Sequence, residues 1–220
     1  MPPTSLILVR VGAIVVALAL WFLTQWLLAR RAKIVMPEGV TIDDGIHTLT
    51  ARWNRRLNDN PKLADRLLIV SSAVIDAMSL FVFALSVFGP TLRPFVALLM
   101  LFILRQLCQF ASPLPAPRGM VWRYPGFPSA LVTYGTSSDF FFSGHTSLAV
   151  LGACCLATTL GPVGIALGVI VALFEMGTVL VLRAHYTMDV FTGLITALYA
   201  YHLAGQVVPS IDGWLRGFVG

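Results

Sequence analysis

DFFFSGHTSLAVLGACCLATTL, residues 139–160, sets an acid, a hydroxyl and a histidine (Asp139, Ser143 and His145) ahead of a long apolar run. From about Phe141 to Leu160 that run is long enough to cross a bilayer as a helix, since a hydrocarbon core of roughly 30 Å needs about 20 residues. A second stretch of the same character, His185-Tyr186-Thr187-Met188-Asp189, opens another apolar run that extends to about Val207. His185 and Asp189 are four apart, which places them on one face if the helix includes both. Ionisable groups are costly beside lipid, so several of them gathered at helix mouths point to function. The two stretches read as halves of one site.

The rest of the chain agrees with a membrane setting. Of its 220 residues, 57% are hydrophobic and 11% charged, with a mean hydropathy of +0.83. Such a balance excludes an ordinary soluble domain. The fold class expected is therefore all-α: a polytopic bundle of six transmembrane helices forming one membrane domain over residues 1–220. The spans are about 6–29, 67–89, 95–111, 141–160, 163–182 and 185–207. The first is too long for a signal-peptide core and is expected to be retained. Gly89-Pro90 and Gly161-Pro162 make two of the turns. Between the first two spans, Ile46, Leu49, Trp53 and Leu57 recur at helical spacing opposite Arg52, Arg55 and Arg56. That pattern predicts an interfacial amphipathic helix over about 45–58, started by Asp43 or Asp44. The net charge of +5 lies in loops flanking apolar spans, so anionic headgroups rather than nucleic acid are its expected partners. Cys108, Cys154 and Cys155 fall inside apolar segments and read as packing residues.

An even number of reversals between the fourth and sixth spans brings their mouths to the same membrane side. The loop 30–66 and the proline-rich connector 112–138 lie on that side too and can roof the site. A neutral imidazole is a nucleophile near neutral pH, and a carboxylate on its other nitrogen fixes the tautomer and stabilises positive charge on the ring. His185 and Asp189 have the spacing for this. His145, on a separate helix, suits general acid work on a leaving oxygen. Ser143, Gly144 and the unpaired N–H groups of the first helical turn form a cradle for a phosphate. Asp76, Arg105 and Glu175 are embedded in spans, where they either neutralise one another or line a polar substrate cavity. Asp139, Phe140, Phe141, Phe142 and Tyr186 offer a carboxylate and aromatic faces to a cationic headgroup. No spacing matches a tight metal-ligand motif, so neither a metal nor another cofactor is expected.

Asp139 to Thr146, followed by His185-Tyr186-Thr187-x-Asp189, resembles the sphingomyelin synthase family, a branch of the lipid phosphate phosphatase superfamily. Arg105-Gln106-Leu107-Cys108 through Pro113-Leu114-Pro115-Ala116-Pro117 is similar to that family's arginine-bearing span and its Leu-Pro-x-Pro turn. The resemblance covers about Leu92 to Ala197. It implies a six-helix transferase that moves phosphocholine or phosphoethanolamine from a glycerophospholipid donor to a ceramide- or diacylglycerol-like alcohol, without metal, through a phosphohistidine. His185 would be the nucleophile, Asp189 its partner, and His145 the acid and base. There are departures. Ser137-Ser138-Asp139 stands where the family has Cys-Gly-Asp, and Val179 stands where the phosphatase branch has an arginine. The missing clamp favours a diester headgroup over a phosphate monoester. A lipid phosphatase or phospholipase C-type hydrolase, with water as acceptor, shares every one of these residues and is the alternative. Lys and Arg crowd the loops bordering the site, which by the positive-inside rule puts it on the cytoplasmic face. The resemblance puts it on the outer or lumenal face. The oligomeric state is open.

Overall fold

Proline, glycine and short polar caps punctuate the chain where its helices start and stop. The computed structural model describes residues 2–35, 42–132, 134 and 140–219, and among these every regular element is a helix. They are α1 (Thr4–Val35), α2 (Gly45–Leu49), α3 (Ala51–Asp59), α4 (Pro61–Phe88), α5 (Arg93–Ala111), α6 (Gly144–Val181) and α7 (Thr187–Val219). Helix α4 starts well before the expected residue 67. Asn60 accepts the Leu63 N–H at 3.2 Å, and Pro61 occupies the first turn, where its missing N–H costs nothing. Gly89 closes α4, and Pro94 sits in the first turn of α5.

Four helices among the described residues, rather than the expected six, are long and apolar enough to cross a membrane: Thr4–Leu28, Pro61–Phe88, Arg93–Ala111 and Gly144–Val181. The chain is accordingly a membrane protein. Two causes account for the difference. The expected spans 141–160 and 163–182 form one 38-residue helical stretch, α6. The last, expected over 185–207, starts at Thr187 and carries Tyr199, Tyr201, His202 and Gln206, which dilute its apolarity.

Helix α6 does not run straight. Gly161 has φ 58 and ψ −135, a backbone conformation that only glycine reaches readily, and Pro162 follows it. A Cβ on Gly168 would lie 2.7 Å from the Cβ of Ala153. In an unbroken helix those residues would be about 22 Å apart. The arms 144–160 and 162–181 therefore double back on each other, and Gly168 lets their backbones touch. The first arm of α6 and α7 run side by side in the same direction. Ser143 N–H donates to Asp189 O (3.1 Å), Ser147 Oγ to Gly193 O (3.4 Å), and further along Thr158 Oγ1 meets Tyr201 Oη (3.1 Å).

Lipid tails are as apolar as leucine, so hydrophobicity alone cannot say which face of such a helix turns inward. Close packing and hydrogen bonding of small side chains can. The inner face of α4 carries Ser71, Ser72, Ser79 and Ser86 among Leu68, Ile75 and Val82, whereas Val70, Leu80 and Phe88 face outward. At the end remote from the histidines, the buried Arg10 donates to Gly89 O at 2.7 Å and lies 3.9 Å from Asp212. That contact joins α1 and α7 to the α4–α5 turn.

The helix expected over 45–58 is present as α2 and α3, bent at Thr50. Leu49 and Trp53 are exposed, while His47, Asn54 and Leu57 are buried. Asn54 Nδ2 donates to Gly119 O and Val181 O, both at 3.0 Å, so an asparagine takes the inner position and satisfies the C-terminal end of α6.

Candidate active site

The catalytic histidine expected at the start of a helix sits just outside one. After α6, Arg183 takes a positive φ of 54, and Ala184 N–H returns to Val179 O at 2.9 Å. This brings His185 and Tyr186 into a turn before α7, so His185 and Asp189 do not share a helical face as expected. They still meet. His185 Nδ1 lies 3.6 Å from Asp189 Oδ2, too long for a hydrogen bond, and 2.8 Å from the carbonyl of Phe140. A carbonyl only accepts, so Nδ1 carries a hydrogen. The backbone carbonyl thus holds Nδ1, and the Asp189 carboxylate stands beside the ring without bonding to it. Asp189 is fully buried, and its Oδ2 accepts the Tyr186 N–H at 2.8 Å.

His145 lies in the first turn of α6, with the edge of its ring against Trp122 (5.1 Å between centroids). Its Nε2 is buried and has no hydrogen-bond partner among the described residues. His145 and His185 line a cavity of about 70 Å³ together with Arg105, Gly144, Trp122 and Phe140. Arg105 is buried and donates through Nε to Phe142 O at 2.9 Å. A Cβ on Gly144 would meet that same Nε at 3.2 Å, so glycine lets the guanidinium lie against the mouth of α6. A cation beside a helix N-terminus is an arrangement that suits an anion.

The other expected substrate residues are placed elsewhere. Ser143 is fully buried and caps α6, accepting the Thr146 N–H at 3.3 Å. Asp76 and Glu175 have separate hydrogen-bond partners. Asp76 receives Ser129 Oγ and the N–H groups of Ala130 and Leu131 at 2.9–3.1 Å, which draws the connector down against α4. Glu175 accepts from Ser71 Oγ at 2.7 Å. Tyr186 donates its hydroxyl to Pro115 O at 3.0 Å, fastening the Leu-Pro-x-Pro turn over the site. Asp139 lies outside the described residues.

Two contributors carry little sequence signal. His47 Nε2 is 2.9 Å from the carbonyl of His185, and its ring stacks on Tyr186 at 5.7 Å. Asp44, expected only as a cap, caps two helices. One carboxylate receives the N–H groups of Ile46 and His47 as well as the N–H and hydroxyl of Thr187. Burial pushes the Asp44 carboxyl up, but the bonds from Thr187 and His47 outweigh it and hold it below the usual range. Arg183 donates to Arg118 O and His47 O, tying connector and α2 to the same turn. Apart from the cap of Asp44 on α2, each of these contacts spans a large sequence separation, which no local pattern reveals.

A family model, AtPDCT1/2, matches residues 42–206, a stretch that runs from α2 into α7 and holds both histidines. The chain belongs to the AtPDCT1/2 family. The family's name denotes phosphatidylcholine:diacylglycerol cholinephosphotransferase, a lipid-modifying phosphotransferase related to sphingomyelin synthase-like proteins. No curated protein and no solved structure matches the chain. The family match begins at Ile42 and so takes in Asp44 and His47, which hold the turn at His185.

Proposed function

We propose that the protein transfers phosphocholine from phosphatidylcholine to a lipid alcohol, with diacylglycerol preferred to ceramide, through a phosphohistidine at His185. One observation carries this reading. In a chain of the AtPDCT1/2 family, two histidines with unlike hydrogen bonding line one cavity beside a buried arginine. His185 Nε2 attacks phosphorus, a P–N bond forms, and the P–O bond to the donor diacylglycerol breaks as His145 gives that oxygen a proton. The acceptor hydroxyl then loses its proton to His145 and attacks phosphorus, and the P–N bond breaks. Arg105 holds the phosphoryl oxygens in both steps, and Asp189 stabilises the charge on the His185 ring.

Purified protein given choline-labelled phosphatidylcholine and an unlabelled diacylglycerol of different chain length should produce labelled phosphatidylcholine carrying the new chains. Release of free phosphocholine regardless of acceptor would replace the transferase by the hydrolase. Ceramide in place of diacylglycerol should compete poorly.

The chain crosses the bilayer six times in this reading: α1, α4, α5, the two arms of α6, and α7. Support comes from the doubling back at Gly161 and from the parallel course of α7. Val163 is exposed beside that turn. Cysteines placed at Thr91 and Val163 should then react with an impermeant thiol reagent from one side of the membrane, and a cysteine at Ser129 from the other. If α6 crosses only once, position 163 lies at mid-bilayer and stays unlabelled.

A further inference from the structure

A second cavity, about 300 Å³, lies between α1 and α5 and is lined almost wholly by apolar side chains, among them Ile14, Ala17, Leu18, Phe95 and Ile103. Trp21 and Phe102 belong to its wall and to that of the histidine cavity, and their rings stack at 5.4 Å between the two. The geometry points to this groove as the seat of one acyl chain of the donor phospholipid, an inference that rests on the headgroup-transfer reading above. Three features select that occupant.

The first is length. From Ile14 to Thr24 the α1 wall rises about 15 Å, half of a hydrocarbon core of roughly 30 Å, which is the reach of a chain within one leaflet. The second is polarity. The groove is apolar along its depth and ends at the site side beside Gln106, whose Nε2 donates to Gln25 Oε1 at 3.1 Å, at the level where a glycerol backbone would lie. The third is an unmet donor. The indole Nε1 of Trp21 is buried and has no acceptor among the described residues. An indole N–H can only donate, and an acyl ester carbonyl entering past Trp21 would accept from it.

The groove adds little affinity, because the bilayer left behind is equally apolar. Its effect is on position. A chain held between α1 and α5 directs the phosphodiester past Trp21 and Phe102 toward Arg105 and His185, and small misplacements of a reacting group cost up to about 10²-fold in rate.

The test uses the full-length His185→Ala protein, which cannot consume the probe, in nanodiscs of phosphatidylglycerol. They contain a small fraction of phosphatidylcholine bearing a mid-chain diazirine. After irradiation, labels should concentrate on residues 14–24 and on the facing side of α5. Excess unlabelled phosphatidylcholine should cut them roughly tenfold. Filling the groove by Ala17→Trp on the α1 wall, or by Ile103→Trp on the α5 wall should one of them fail to fold, should do the same. Labelling spread evenly over outward faces such as residues 163–173, and indifferent to both variants, would mean annular lipid only and overturn the inference. Competition by diacylglycerol but not by phosphatidylcholine would also overturn it, since the groove would then hold the acceptor. Because labelling does not depend on turnover, a specifically labelled groove in a protein that transfers no headgroup would uphold the groove while removing the transferase.

Discussion

Replacing His185 with alanine is expected to lower headgroup transfer by about 10⁶-fold, the scale of losing a nucleophile that works within a catalytic unit, with helical content unchanged. Stability should hold because the bonds that anchor this turn run through the His185 backbone carbonyl to His47 and through Tyr186 N–H to Asp189. Those survive removal of the imidazole. Asp189→Asn should lose less, about 10³-fold. A carboxylate hydrogen-bonded directly to the histidine costs about 10⁴-fold when replaced by the amide, chiefly through the wrong tautomer. Here the Phe140 carbonyl at 2.8 Å sets the tautomer, and Asp189 at 3.6 Å contributes charge. Single-turnover assays on radiolabelled phosphatidylcholine, together with acid-labile phosphate retained on the wild-type protein, measure both. A well-folded His185→Ala protein with near-normal activity would remove the mechanism.

His145→Ala should slow transfer from natural phosphatidylcholine by about 10³-fold, within the usual range for loss of general acid catalysis. A diacylglycerol alkoxide is a poor leaving group without a proton, and in the described residues His145 Nε2 is the buried ring nitrogen left without a partner. A phosphocholine ester of a nitrophenol leaves without that proton. On it, the variant should recover most of the wild-type rate for formation of the phosphohistidine, measured as the nitrophenol burst. The second step should remain slow, because the acceptor hydroxyl still needs a base. An equal loss on natural and activated donors would assign His145 to binding instead.

Composition and local punctuation determined a great deal. An all-helical membrane protein follows from apolar runs interrupted by Gly-Pro turns, since in lipid the backbone must satisfy its hydrogen bonds within each segment. The two histidines and Asp189 stood out because charged and polar residues at the mouths of apolar runs are costly and therefore rare. Local pattern also located Gly161-Pro162, the turn that folds α6 back on itself. Tertiary structure decided the rest. Whether 144–181 is one rod or two arms depends on Gly168 touching Ala153, a contact between residues far apart along the helix. Asn54 turns inward on α3 because it reaches carbonyls of the connector and α6. His185 gains its tautomer from Phe140 and its position from His47, and α7 gains its cap from Asp44, each distant in sequence. Periodicity records which side chains avoid water, and in a membrane it cannot record which backbone carbonyl a buried polar group will find.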